Sequence, residues 1–263
     1  MNEKNFEYLK DQIKFTGFGQ DLEAALKENL AKAQNEFRLS HTAQHGKDEL
    51  NSSLHFKKSA QSDMYFFNSY DAALKKENAE QAIKQTFYIN RQAGNITQKE
   101  AYNLLDGRAV NKDLISKEGT LYNAWVQLDF KDTAQNGNHK FKQFSEKYGF
   151  DLEKSVAKLS IKELSDVNEK TRVLESLNKG NRQAVTLQQN GNEQRVFVEA
   201  SPQFKTVSVY DQNNRRLTID GPRQSERQGA SQKQNEKKDA KQQQKEDSDQ
   251  TAPKTRKGKK VSV

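Results

Sequence analysis

The side chains best suited to acid–base, metal or nucleophilic chemistry are few in this chain. It has no cysteine and four histidines in 263 residues. Disulfides, thiolate metal sites and cysteine nucleophiles are therefore excluded. His41 and His45 stand four apart, a ligand spacing that works on a helix. Here Phe37, Leu39 and His41 alternate with polar residues, so the segment reads as strand and loop, the two rings are not expected to share a face, and no glutamate lies between them. Gly17-Phe18-Gly19 precedes a helical pattern but follows another helix. It lacks a third glycine and a P-loop lysine, so it reads as a turn and not a phosphate cradle. Carboxylates are many, yet no two share an apolar setting that would set one up for proton transfer. The chain accordingly reads as a non-enzyme with no metal and no cofactor.

Residues that bind rather than react are better represented. In Trp125-Val126-Gln127-Leu128-Asp129-Phe130, alternation puts Val126, Leu128 and Phe130 on a core face and Trp125, Gln127 and Asp129 on the other. Trp125 is then either a partner-binding aromatic on an open sheet or is covered by a neighbouring helix. Arg108 and Arg182 each follow a helix-ending glycine. They suit either the negative end of a helix dipole or a phosphate. Lys254, Arg256, Lys257, Lys259 and Lys260 form an acid-free run near the C-terminus. Such a run binds polyanions by counterion release without reading sequence, or serves only as a solubilising tail.

Charge and apolar mass are unevenly divided. Residues 221–263 hold 12 Lys+Arg against 6 Asp+Glu, with no aromatic, Leu, Ile or Met. That stretch cannot bury enough apolar surface to offset the entropy of ordering, and it is expected to be a disordered basic tail. The first 220 residues carry 32 basic and 30 acidic side chains together with all 14 Phe, all 8 Tyr and the single Trp. They form the expected body. The high pI of about 9.3 is thus mostly a property of the tail. Neither a secretory leader nor an apolar run of membrane-spanning length is seen, so a cytoplasmic location without membrane contact is the expectation.

The elements that hold these residues follow a repeating order. Phe6, Leu9 and Ile13 have helical spacing before Gly17, and Leu22, Leu26 and Leu30 make a second helix. Three strands follow to residue 71. Thr97-Gln98-Lys99-Glu100 is a capping box opening a helix that ends at Gly107, with strands near Arg108–Leu114, Tyr122–Phe130 and Lys140–Phe144 and a turn at Asn136-Gly137. A third round opens with a short helix at Asp151, a capping box at Ser160–Glu163 and a helix from Asp166 to Gly180. Strands at Ala184–Gln188, Arg195–Ala200 and Lys205–Tyr210 complete it, the first pair joined at Asn190-Gly191. The predicted fold is α+β: repeated units of helix plus three-stranded antiparallel meander, at about 19–90, 91–150 and 151–220.

Ile96-Thr97-Gln98-Lys99-Glu100-Ala101-Tyr102-Asn103-Leu104-Leu105-Asp106-Gly107-Arg108-Ala109-Val110, with Tyr122–Leu128 and Gly180–Val185, resembles an uncharacterised domain family of Bacteroidota conjugative transposons and plasmids. Phe6–Lys14 and Met64–Asn68 look similar to it as well, and the likeness spans roughly residues 1–217. It implies genetic context and no chemistry: an accessory protein of a mobile element, associating with nucleic acid or docking on another mobile-element protein of conjugation or replication.

Overall fold

A computed structural model describes residues 2–218 apart from 91, 93 and 190. The expected tail 221–263, with Lys254, Arg256, Lys257, Lys259 and Lys260, lies outside the described residues, as does Asn190 of the Asn190-Gly191 turn.

Helix α1 (Glu3–Ile13) begins at Asn2, whose side chain accepts from the Asn5 N–H at 3.2 Å, and buries Phe6, Leu9 and Ile13. A π-helical turn, Lys14–Phe18, follows and buries Phe18. Helix α2 (Glu23–Ala31) adds Leu26 and Leu30. The chain then runs back and forth as β1 (Glu36–His45), β2 (Asp48–Lys58), β3 (Tyr65–Lys75) and β4 (Ile83–Tyr88), an antiparallel sheet in sequence order. The sequence pattern indicated three strands here. The fourth was hidden because an inward position of β4 is a glutamine. Gln85 is buried, and its amide pairs like a strand with the backbone of His139: Nε2 donates to the carbonyl (3.2 Å) and Oε1 accepts from the N–H (2.9 Å).

Helix α3 (Gln98–Leu105) carries the capping box at Thr97 and Glu100. The buried Tyr70 hydroxyl donates to Ile96 O at 2.7 Å and fixes the chain just before it. Next come β5 (Val110–Ile115), β6 (Leu121–Thr133) and β7 (His139–Ser145), again in sequence order. The third round has α4 (Leu152–Val156), α5 (Val167–Asn178), β8 (Gln183–Gln189), β9 (Asn192–Ser201), β10 (Thr206–Tyr210) and the two-residue β11 (Arg216–Leu217). No capping box forms at Ser160–Glu163. Lys162–Ser165 is a 3₁₀ turn, and the Glu163 carboxylate instead accepts from the Thr186 N–H of β8 at 2.9 Å. A strand N–H that would otherwise be unpaired outcompetes the local cap. Helix plus antiparallel meander therefore recurs three times, with four, three and four strands.

The layers share helices. One face of the first sheet is lined by α1, α2 and α3, and α3 also packs on β5 and β6; α5 lies between β5 and the third sheet. The second sheet is consequently covered on both faces. Val110, Val126 and Leu128 belong to the first core, while Ala109, Trp125 and Phe144 belong to the second. Alternation along β6 separated the faces correctly for these residues, but both faces are apolar ones. Phe130, assigned to the core by the same alternation, lies beyond the covered part of β6 and is 42% exposed.

Candidate functional site

The residues selected from the sequence are mostly committed to the fold. Trp125 is not on an open surface: it is 6% exposed and meets Phe150 edge-on at 5.4 Å, because α4 and α5 cover that side of the sheet. Asp129 pairs with Lys142 across the β6–β7 ladder at 3.0 Å, which holds its carboxyl below the usual range. Arg108 is nearly buried. Its guanidinium is paired with Asp106, donates to Asn103 Oδ1 at 2.6 Å and lies over the Tyr102 ring at 5.1 Å. Asn103 in turn donates to Lys179 O (2.6 Å) and Asn181 Oδ1 (2.9 Å), so this network ties α3 to the end of α5. Arg182 has the same kind of role one unit later. It donates to Glu199 Oε2 from Nε (3.1 Å) and Nη2 (3.0 Å) and lies over Tyr210 at 4.2 Å, while the Tyr210 hydroxyl bonds Glu199. Lys112 is held by Glu100 at 3.0 Å. An arginine bound to an internal carboxylate and an aromatic face is not presented to a phosphate. Of the two roles open to Arg108 and Arg182 in the sequence, the structure places both side chains in internal networks at the helix ends.

His41 and His45 do share a face of β1, contrary to the sequence reading, but four residue steps along the strand set them about 13 Å apart. His41 packs edge-on against Phe18. His45 stacks on Tyr102 at 4.1 Å, with Lys99 Nζ 3.3 Å from Nδ1. Burial, then Lys99 and Arg108, lower its pKa to about 4, so the ring is neutral near neutral pH. Among the described residues no group of three or more His, Asp or Glu is placed to hold a metal ion.

What the fold does leave open is the outward face of the first sheet, opposite its helices. Antiparallel register sets Arg38, His55, Ser69 and Tyr88 side by side across four strands, then Ser40, Ser53, Asp71 and Thr86, then Thr42, Asn51, Ala73 and Lys84. Glu36, Lys57 and Phe66 flank the first row. The β6–β7 turn closes one end: Asn138 Oδ1 accepts from the Thr86 N–H at 2.9 Å, and Asn136–Asn138 wall a depression of about 590 Å³. At its centre Asp71 lies 2.8 Å from His55 Nε2, in ion-pair contact without hydrogen-bond geometry, and accepts from the Thr86 hydroxyl at 2.7 Å. Among the described residues no hydroxyl hydrogen-bonds the His55 ring, so a nucleophile–base pair is not assembled there. Arg38, Lys57 and Lys84 are exposed and have no acid partner among the described residues, and Tyr88 is 67% exposed.

Comparison with protein-family models, with curated proteins and with solved structures finds no match to this chain. The open face was missed in the sequence because β4, which supplies Lys84, Thr86 and Tyr88, was not recognised as a strand. The signal was present in the alternation of Ile83, Gln85 and Phe87, once a core glutamine is allowed.

Proposed function

We propose that this protein is a non-catalytic accessory protein of a mobile genetic element that associates with nucleic acid non-specifically through its basic C-terminal segment. One observation carries the reading: the excess of positive charge lies in residues 221–263, while the first 220 residues are nearly balanced. Within the body, Arg108, Lys112 and Arg182 are held by internal carboxylates. Residues 221–263 carry twice as many basic as acidic side chains, ending in Lys254, Arg256, Lys257, Lys259 and Lys260. A cationic run of this kind binds phosphates through released counterions and is indifferent to sequence. The mobile-element setting rests on the resemblance of the body alone.

The test is fluorescence anisotropy with labelled duplex DNA over a salt series. Replacing the five terminal cations by glutamine lowers the slope of log K against log salt by about 4, and truncation after residue 220 abolishes most binding. Absence of any binding by the full-length chain at low salt refutes the proposal.

Docking on a protein of conjugation or replication is the second reading. It no longer draws support from Trp125, which is buried, but Phe130 and Phe141 are exposed on adjoining strands of the β6–β7 hairpin. Capture of a host partner that survives nuclease treatment and is lost in Phe141→Ser would favour it.

A further inference from the structure

We infer that the outward face of the first sheet is a platform for single-stranded nucleic acid, a site separate from the C-terminal segment. Four observations converge there. The sheet is antiparallel, four strands wide and free of helices on that side among the described residues. Arg38, Lys57 and Lys84 project from it without acid partners, against two carboxylates without a cation partner, Glu36 and Glu49, the latter accepting from the Gln44 and Asn51 amides; Asp71 is occupied by His55 and Thr86. Tyr88 offers an exposed ring on the same face. Next to the row that holds Arg38 and Tyr88 lies a depression edged by Lys84 and lined by short polar side chains, including Ser40, Ser53 and Asn51, suited to base edges.

The chemistry favours a single strand over a duplex. Bases that have left a helix expose a π-face, and an aromatic ring on a sheet holds them by stacking whatever their identity. A duplex presents only phosphates to a flat surface and gains nothing from Tyr88. The cations stand at the margins of the face, with Arg38 and Lys57 on the β1–β2 side and Lys84 on β4, where a backbone crossing the strands would pass. A paired carboxylate at the centre, Asp71, and two at the rims, Glu36 and Glu49, keep the net field modest. Affinity is therefore expected to rest on stacking more than on charge.

The inference is tested on the full-length chain with labelled oligo(dT) and a duplex of the same length, at a salt concentration high enough to suppress the cationic segment. Expected results are a preference for oligo(dT), and a loss of about 10-fold or more in Tyr88→Ala with duplex binding unchanged. Arg38→Gln combined with Lys84→Gln lowers the single-strand salt slope by about 1.4. Phe204→Ala, which removes an equally exposed ring on another part of the body, changes neither. Equal binding of both probes, or a Tyr88→Ala variant that binds oligo(dT) as tightly as the parent, overturns the platform while leaving duplex association through the C-terminal segment intact. A chain that binds neither probe at low salt overturns both.

Discussion

Gly180 and Gly107 end helices at matching places in successive units, and a methyl group distinguishes them. Both adopt positive φ, +75° and +86°. A side chain in that region costs about 1–2 kcal/mol from backbone sterics alone. At Gly107 an added Cβ meets only the Phe130 ring at 3.7 Å, ordinary contact. At Gly180 it lands 2.6 Å from Ala109 O, 2.9 Å from Val110 Cγ2 and 3.3 Å from Asn103 Cβ. Those atoms belong to the joint where α5 closes on β5, and Asn103 is already fixed there by its bonds to Lys179 O and Asn181. A backbone carbonyl cannot rotate away as the end of a long side chain would, so the joint must open. Overpacking of this kind adds about 1–3 kcal/mol. Gly107→Ala is thus expected to lose about 1–2 kcal/mol and Gly180→Ala about 2–5 kcal/mol, a large share of the roughly 5–15 kcal/mol that holds a domain folded. Urea unfolding followed by the single, buried Trp125 measures both. Equal losses, or a smaller loss at Gly180, would refute the close approach of α5 to β5.

Three further outcomes follow from side chains that hold layers together. Gln85→Leu leaves the His139 N–H and carbonyl without their amide partner, and is expected to cost about 2–3 kcal/mol with faster hydrogen exchange at His139. His45 titrates near pH 4 instead of 6.5, owing to burial, Lys99 and Arg108, opposed by Asp48. The unfolded chain then binds more protons than the folded one between those values. Stability contributed by the neutral ring is complete above pH 6.5 and lost as pH falls toward 4, by up to about 2 kcal/mol after solvent screening. NMR titration of the ring reads this directly, and a midpoint near 6.5 refutes it. Arg182→Met is expected to destabilise by about 1–3 kcal/mol, since Glu199 loses its cation, while duplex affinity stays the same; a drop in affinity would return Arg182 to the nucleic-acid interface.

The repeating order was legible because it is written in local signals. Helix caps such as Thr97–Glu100 and the spacing of Leu104 and Leu105 require no knowledge of neighbours, and the strands of the second meander and the first three of the third emerged close to their observed places, while β4 and β11 did not. What was illegible depends on a partner far along the chain. Trp125 and Val126 look like opposite faces of a half-open strand until α5, some 40 residues later, covers the second face. Gln85 looks like a break in a strand until His139 supplies its hydrogen bonds. Arg108 and Arg182 look available until Asp106 and Glu199 are seen beside them. The open sheet face escaped for the same reason, since register across β1 to β4 is what gathers Arg38, Lys84 and Tyr88. Alternation shows that faces differ, but not which of them will find a cover.

Sharing helices between sheets has a consequence for cooperativity. Neither core is closed by its own unit: Val126 and Leu128 belong to the first and Trp125 to the second, yet all three are on β6. Loss of β6 from its sheet would expose both cores at once. The body is therefore expected to unfold as one unit despite its repeating layout, unlike an array of independent modules. Trp125 fluorescence reports the second core, and the His45 ring on Tyr102, followed by NMR, reports the α3 side of the first. Their urea midpoints should coincide, and Gly180→Ala should shift both by the same amount. Separate midpoints, or a shift confined to the tryptophan, would mean that β6 does not couple the layers and that the third unit unfolds alone.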